Sequence, residues 1–395
     1  MDRFEEIRKQ RQFYPATNGR AYLMSAATGL VGKDIYEAYL KYMDGRYFIG
    51  GDAAWGEDGV GTGSMLLRAR ESIGKMINAD GKNICFGDNS SRMLNIFING
   101  ITLGKGDNII IPEDTFISSH MAWKEKQKSE GFEMRFIPME NGEVSADRVI
   151  GAADENTKVI SICHVENNTG YRHDIIKIGE FCKKNGIILL VDGMQSMGVL
   201  RVDVRKMNID YLIGGDYKWM QGFCGTGYAY ISDRCLEILP QPGAGWFGAA
   251  EKFGSHDGDI KLSSGADRFE YGYPNAPGIF SLALAAEKYM SLGGENIEDY
   301  VLYLADRIRE KVRKSSVMKL QYDPSDINRS QIVKIIVENV DECFGEYLTE
   351  NDVFVNASFE DGKCIIRLSI HYYNNETDIE KFVETVEKYK TAKRR

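Results

Sequence analysis

The 395-residue sequence has no long hydrophobic run. Its longest apolar strand-like stretch, residues 187–191, is far shorter than the roughly 18 apolar residues of a membrane-spanning helix. Residues 1–14 are charged and aromatic and lack the apolar core of a secretory signal. We therefore exclude a membrane protein and expect a cytoplasmic one.

Cysteine and histidine are scarce, and their spacing does not suggest metal ligands. The seven cysteines include no C-x-x-C pair, and the five histidines show no metal-binding spacing. An odd number of cysteines without C-x-x-C spacing suggests neither a disulfide framework nor a zinc site. We expect reduced thiols and no bound metal.

Basic residues are outnumbered by acidic ones. The 49 lysines and arginines stand against 58 acidic residues, which gives a formal net charge of -9. This balance opposes electrostatic binding to nucleic acid or to an anionic membrane. No nucleic-acid or membrane partner is expected.

The sequence is rich in β-like runs that alternate with helical periodicity. The strand-like runs are residues 108–111, 134–137, 158–162, 187–191, 211–213 and 228–231. Between two of them, Ile175, Ile178 and Cys182 recur at helical spacing, and Gly186 stands where that helix would stop. The alternation predicts an α/β fold with a largely parallel sheet and crossover helices.

The pattern changes after Pro277. Two long amphipathic patterns there, around residues 297–312 and 379–386, flank the strand-like segments 331–337 and 364–370. We predict a large α/β domain over residues 15–276 and a smaller α+β domain over residues 277–395. The segment 1–14 is expected to join the smaller domain.

Two polar residues follow neighbouring strands of the predicted sheet. Asp192 ends one apolar run, and Lys218 follows the next one after a short polar turn. Ligands of open α/β sheets bind at the carboxyl ends of strands, where an acid could keep a pyridine nitrogen protonated. Each residue alone also has an ordinary interpretation, because such an Asp often caps the next helix and a loop Lys is often solvated.

Five segments in order resemble the class V aminotransferase family of fold-type I pyridoxal-phosphate enzymes. They are residues 164–170 (HVENNTG), 191–195 (VDGMQ), 217–219 (YKW), 268–275 (RFEYGYPN) and 366–374, which contains the motifs R-L-S and Y-N. The family includes cysteine desulfurases, kynureninases and isopenicillin N epimerase-like enzymes, and the resemblance spans nearly the whole chain. It implies a mostly parallel seven-stranded-type sheet, pyridoxal 5'-phosphate as cofactor, an amino-acid substrate and a homodimer with active sites near the interface.

The resemblance also implies roles for single residues. Lys218 would carry the cofactor as a Schiff base and shuttle a proton. Asp192 would pair with the pyridine nitrogen, while Gln195 and Asn167 would lie near the ring's phenolic oxygen. Phe116 stands where the family places a side chain stacked on the ring, although it could instead be a core residue.

Cofactor phosphate binding is expected at the start of a helix. Ser90 and Ser91 precede an apolar-periodic segment, and backbone N–H groups at such a helix start bind anions. The resemblance adds the Tyr217 hydroxyl. Tyr273 stands where many relatives have a Thr that reaches the phosphate across a dimer interface, so its contact is left open.

Substrate recognition is assigned to Arg367, which matches the family's carboxylate-binding Arg. Trp246 lies in a G-W-F-G segment that resembles the kynureninase-like branch, whose aromatics line the substrate pocket. The same aromatics could instead pack a dimer interface.

The reaction that follows cofactor binding is left open. Residues 344–363 contain no cysteine ahead of Arg367, so a cysteine desulfurase is less favoured. Cys364 lies an odd three residues from Arg367, which would place it on the opposite face of a strand. We expect an aminotransferase-type enzyme, with a lyase or epimerase as the alternative and a non-catalytic binding protein as the least favoured interpretation.

Overall fold

The computed structural model describes residues 3–50, 62–241, 243–251 and 261–393. Its α-helices are α1 (Glu5–Arg8), α2 (Lys33–Asp44), α3 (Thr62–Met76), α4 (Ser90–Gly100), α5 (Ile117–Glu130), α6 (Ala146–Gly151), α7 (Ile175–Asn185), α8 (Asp233–Ile238), α9 (Ala276–Leu292), α10 (Gly294–Lys314), α11 (Phe344–Glu350) and α12 (Glu376–Lys393). Short 3-10 segments cover Lys9–Phe13, Pro15–Thr17, Gly81–Asn83, Trp246–Gly248 and Ala266–Phe269, and a π-helical turn covers Gly45–Ile49.

The strands are β1 (Ala21–Tyr22), β2 (Ile84–Gly87), β3 (Asn108–Pro112), β4 (Glu133–Ile137), β5 (Thr157–Cys163), β6 (Ile188–Asp192), β7 (Tyr211–Gly215), β8 (Gly227–Ile231), β9 (Met318–Leu320), β10 (Ile332–Glu338), β11 (Val353–Phe354), β12 (Asn356–Glu360) and β13 (Lys363–Ser369). Seven of them form one sheet in the order β2-β8-β7-β6-β5-β3-β4. The pairs from β7 to β4 are parallel, and β8 runs antiparallel to both of its neighbours. The predicted α/β class with a mostly parallel sheet is confirmed.

The large sheet is covered on both faces. Ile110 packs into one apolar cluster, whereas its chain neighbours Ile109 and Ile111 pack into another. Because side chains alternate across a strand, this division means that apolar layers lie above and below the sheet. Such burial on both faces explains why the central strands read as continuous apolar runs.

The crossover helix α7 shows how local sequence sets an element. Its N-cap Asp174 accepts a hydrogen bond from the Lys177 backbone N–H, and the helix ends at Gly186 with a φ of 69°. Ile175, Ile178 and Cys182 are buried on one face, as predicted. The helix therefore returns the chain from β5 to β6 and places the end of β6 at the site.

A smaller antiparallel sheet has the strand order β12-β13-β10-β9. One face of β10 and β13 packs with α10 and α12 into a third apolar cluster. The N-terminal part of the chain reaches this region, because β1 pairs in parallel with β11. Helix α9 packs on the large-sheet cluster through Ile279 and Leu282, so the division at residue 277 stays a prediction.

Within the described ranges, we find no helix with the length and apolar character needed to cross a bilayer.

Candidate active site

A cavity of about 430 Å³ lies at the carboxyl ends of the parallel strands β5, β6 and β7. This position is where open α/β sheets bind ligands. Eight residues predicted from the sequence line it: Ser90, Ser91, Phe116, Asn167, Asp192, Gln195, Tyr217 and Lys218. The fold thus gathers side chains that are widely separated in the chain.

Lys218 follows β7 after a short turn, and only 8% of its surface is exposed. Burial lowers the pKa of its amine, Arg367 lowers it further, and the Asp192 carboxylate acts in the opposite direction. The Nζ atom lies 5.7 Å from the ring centroids of both Phe116 and Tyr217. A lowered pKa leaves the amine neutral for more of the time, which a nucleophilic lysine needs.

Asp192 ends β6 and points its acid at the same cavity. Its Oδ1 accepts a hydrogen bond from the Met194 backbone N–H at 2.8 Å. Burial raises the pKa of this carboxyl to about 6, although the Met194 hydrogen bond and the Lys218 charge act to lower it. An acid with this pKa is suited to share a proton with a basic ring nitrogen.

The start of α4 also lines the cavity. Asn89 caps this 11-residue helix through a hydrogen bond from the Arg92 N–H, which leaves Ser90 and Ser91 in the first turn facing the cavity. The Ser91 hydroxyl donates to the Ser118 hydroxyl at 3.0 Å, so the first turn of α5 meets that of α4. Two helix N-termini therefore favour an anion here.

Ser118 was not predicted from the sequence. It follows Phe116, the N-cap residue of α5, and lines the cavity. The available signal was its place in the first turn of a helix that follows β3, which is the same signal that identified Ser90.

Gln195 lines the cavity, and its side-chain amide also forms hydrogen bonds with residues that do not line it. Its Oε1 accepts a hydrogen bond from Trp219 Nε1 at 2.8 Å, and its Nε2 donates to the Ala26 carbonyl at 3.1 Å. Trp219 directly follows Lys218 and stacks on His371 with the ring centroids 5.5 Å apart. Gln195 therefore holds the segment that carries Lys218, a contact that depends on tertiary packing and has no sequence signal.

Arg367 lies beside the cavity and is not among the residues that line it. Its guanidinium donates to the Asn167 carbonyl at 2.7 Å, so it reaches the loop that borders the cavity. The buried Arg367 Nε and Asn167 Oδ1 have no hydrogen-bond partner among the described residues. Burial lowers the pKa of Arg367. A half-buried cation with an unused donor is equipped to bind a carboxylate.

Tyr273 and Trp246 are not brought to this cavity within one chain. Tyr273 is 55% exposed and lines a separate hollow with Gly87 and Arg92, while Trp246 is 43% exposed. Their predicted roles in phosphate and substrate binding stay predictions.

A buried polar cluster beside the cavity was also not predicted from the sequence. Cys163 ends β5 and lines the cavity, and burial raises the pKa of its thiol. Glu166, which is 2% exposed, forms a hydrogen bond at 2.9 Å with His173 Nε2. His164 is also buried, which lowers its pKa, in keeping with a structural role beside the site. A single sequence gives no signal that pairs Glu166 with His173.

In the part of the chain that the structure describes, no group of three His, Cys, Asp or Glu side chains could hold a metal ion.

An amine of lowered pKa, a strand-end acid and two helix N-termini in one cavity define the site of a fold-type I pyridoxal-phosphate enzyme. The chain belongs to the class V aminotransferase family, whose model, described as aminotransferase class-V, matches residues 21–382. Its cofactor is pyridoxal 5'-phosphate. The unpartnered Asn167 Oδ1 and the anion-favouring helix starts fit this group.

Curated relatives cover nearly the whole chain. A probable cysteine desulfurase of Methanothermobacter thermautotrophicus is 27% identical over 98% of both chains. A probable cysteine desulfurase of Pyrococcus abyssi is 25% identical over 97% of this chain and 96% of its own. The uncharacterized aminotransferase YcbU of Bacillus subtilis is 23% identical over 95% of this chain and 96% of its own.

Solved structures share the fold. The apo cysteine desulfurase of Thermococcus onnurineus NA1 has a TM-score of 0.83 at 24% identity, covering 96% of this chain and 97% of its own. The cystine C-S lyase C-DES, solved with cysteine persulfide, has a TM-score of 0.84 at 19% identity, covering 94% and 98%.

Proposed function

We propose that this protein is an amino-acid-processing enzyme of the aminotransferase type in which Lys218 holds pyridoxal 5'-phosphate through its amine. The observation that carries the proposal is the burial of Lys218, whose pKa is lowered, in the same cavity as the Asp192 carboxylate. When bound, the cofactor supplies an electron sink for negative charge that develops at the substrate Cα.

Different residues would bind the phosphate, hold the ring nitrogen protonated and move the proton at the substrate Cα. Ser90 and Ser91, at the start of α4, would bind the phosphate, and Tyr217 would add a hydroxyl. Asp192 would hold a proton on the ring nitrogen, because its buried acid already has a raised pKa. Lys218, once released by the substrate amine, would move the proton at the substrate Cα.

Three further side chains would set the ring and the substrate. Phe116 would cover the ring, because its own ring lies 5.7 Å from Lys218 Nζ. Asn167 would place its side-chain amide near the phenolic oxygen, because it lines the same cavity. Arg367 would hold the substrate carboxylate through its fork of N–H groups, so that the Cα–H bond is presented to Lys218.

A cysteine desulfurase activity is less well supported, although relatives carry that name. The segment ahead of Arg367 is the hairpin of β12 and β13, and its one cysteine, Cys364, is 2% exposed and faces the apolar cluster. The exposed Cys343 precedes α11 and lies outside this hairpin. No described cysteine on the hairpin can act as a nucleophile toward a substrate on Arg367.

A second candidate is a lyase that breaks a carbon–sulfur bond by elimination. This reaction needs no cysteine nucleophile, and a neighbour in fold is named as a cystine C-S lyase. The names of the desulfurase relatives also concern sulfur removal, so the second candidate is consistent with them.

The cofactor assignment is tested on purified protein supplied with pyridoxal 5'-phosphate. Borohydride reduction followed by peptide mass mapping should place the cofactor on Lys218. The absorbance band of the bound cofactor, at the short-wavelength edge of the visible range, should vanish in Lys218→Ala. The control Lys206→Ala removes an exposed lysine and should keep both signals. A colourless wild-type protein, or fixation on another lysine, would refute the proposal.

The reaction type is tested with an amino-acid panel in a single turnover. Release of one 2-oxo acid without ammonia means transamination, whereas ammonia with a cleaved fragment means a lyase. Inversion at Cα without net consumption means an epimerase, and alanine formed from cysteine means a desulfurase. Only the first outcome supports the leading proposal.

The proposal includes a homodimer in which Tyr273 and Trp246 lie at the interface. It is supported by the exposure of both side chains in one chain and by their position outside its cavity. Sedimentation of the cofactor-loaded protein as a monomer would contradict it.

A further inference from the structure

A second cation lies directly beside Arg367. In the antiparallel pair of β10 and β13, Lys334 is the partner of Arg367. Directly opposed residues project from the same face, with Cβ atoms roughly 4.5–5.5 Å apart. The alternate residues Val333 and Ile335 pack into the apolar cluster, so Lys334 and Arg367 are on the other face of the small sheet.

Both cations reach adjacent residues of one loop. Lys334 Nζ donates to Asn168 Oδ1 at 2.5 Å, and the Arg367 guanidinium donates to the Asn167 carbonyl at 2.7 Å. This loop follows β5 and brings Asn167 to the cavity. Lys334 is therefore held at the edge of the site, next to the residue that is proposed to bind the substrate carboxylate.

Holding the positive charges of Lys334 and Arg367 side by side is energetically unfavourable. Burial lowers the pKa of both side chains, and the charge of Arg367 lowers that of Lys334 further. Among the described residues, the acids that act on Lys334 do so without a hydrogen bond to it, and burial alone lowers the pKa of Arg367. Two adjacent, partly buried cations form a favourable place for two negative charges.

Two acids, Glu360 and Asp114, act on Lys334 electrostatically, and the effect of Asp114 is the larger. Asp114 Oδ1 accepts a hydrogen bond from Asn168 Nδ2 at 3.3 Å, and its other oxygen is buried without a hydrogen-bond partner among the described residues. Burial and the nearby Glu166 raise its pKa to about 6. Asp114 thus supports the amide that holds Lys334, while Lys334 keeps donor capacity for another anion.

We propose that Lys334 is a specificity-determining residue that, together with Arg367, selects amino acids with a second acid group in the side chain. This inference rests on the proposed function. Arg367 takes the α-carboxylate, and Lys334 takes the distal carboxylate or a sulfur acid of similar charge. If Lys334 only positions the Asn167–Asn168 loop, its loss will weaken every substrate alike.

The kinetic test compares substrates that differ in the distal acid. With cofactor-loaded enzyme, Lys334→Met should lower kcat/KM for glutamate and aspartate by about tenfold to hundredfold, as for one charge-assisted hydrogen bond. The value for 2-aminopentanoate should be little changed, and Lys334→Arg should recover part of the loss. The control Lys363→Met removes an exposed lysine from the far end of β13 and should keep the wild-type preference.

A binding test does not depend on turnover. Calorimetry of loaded wild-type enzyme should show tighter binding of butanedioate than of butanoate, and Lys334→Met should abolish the difference. Equal losses for acidic and neutral ligands, or no preference in the wild type, would overturn the inference. A protein that fails to fix cofactor on Lys218 refutes the proposed function instead, so the two failures are distinguishable.

Discussion

At the scale of single residues, the buried acid Asp192 links cofactor binding to pH. Its pKa is raised to about 6 by burial, above its ordinary value of 3.8. The native apoprotein therefore holds this proton more tightly than the unfolded chain, so stability is lost as the pH rises from about 4 to about 6. Binding a protonated ring nitrogen would offset that loss.

Replacing this acid should separate stability from function. We expect Asp192→Asn to keep the hydrogen bond from the Met194 N–H and to avoid a buried charge. In urea unfolding of the apoprotein, its advantage over wild type should grow by about 2 kcal/mol between pH 4 and pH 7. Its affinity for pyridoxal 5'-phosphate should fall at the same time. An advantage that does not change with pH would contradict this.

The site residues differ in how far a sequence can reveal them. Asp192 and Lys218 follow apolar runs, so their place at one sheet edge follows from the parallel order of the strands. The hydrogen bond from Trp219 to Gln195 and the pairing of Lys334 with Arg367 depend on how distant segments approach. Periodicity cannot give such distances, because it reports which face a side chain occupies and not what packs against it.

At the scale of elements, strand β8 and the start of α4 are in very close contact. A Cβ at Gly227 would lie 2.2 Å from the Asn89 carbonyl carbon, so any larger residue must displace the turn that begins α4. We expect Gly227→Ala to lower the free energy of unfolding by about 1–3 kcal/mol and to weaken binding of pyridoxal 5'-phosphate.

The matched control is Gly151→Ala, because a Cβ there meets nothing within 4 Å. Urea unfolding and an absorbance titration with cofactor should separate the two variants. Wild-type cofactor affinity in Gly227→Ala would show that the contact with Asn89 does not position the phosphate end.

The elements themselves were predictable to different degrees. The central strands β3, β6 and β7 are buried on both faces, so their apolar runs identified them. Strand β12, with the sequence NASFE, is exposed at every position and shows no apolar pattern. It forms because β13 offers it backbone partners from Arg367 to Lys363, which is a long-range cause that local sequence does not carry.

At the scale of the whole molecule, the proposed active site depends on how the two sheets are held together. The large sheet supplies Asp192 and Lys218, while the small sheet supplies Arg367. Gln331 Nε2 donates to the Gln195 carbonyl at 2.6 Å, and Arg367 donates to the Asn167 carbonyl. Any change that loosens the small sheet is therefore expected to weaken substrate binding before it affects the cofactor.

The N-terminal segment provides a test of this dependence. The Arg11 guanidinium donates to both oxygens of Asp378 at 2.7 and 2.9 Å, and the Asp378 side chain is only 2% exposed. Because Arg11→Ala leaves a buried carboxylate without its cation, we expect a loss of about 3 kcal/mol in the free energy of unfolding, measured by urea denaturation. The same variant should raise KM more than it lowers kcat. The control Lys9→Ala removes an exposed cation beside Glu5 and should change the free energy of unfolding by less than about 1 kcal/mol. An equal effect in both variants would show that the N-terminal segment does not hold the small sheet in place.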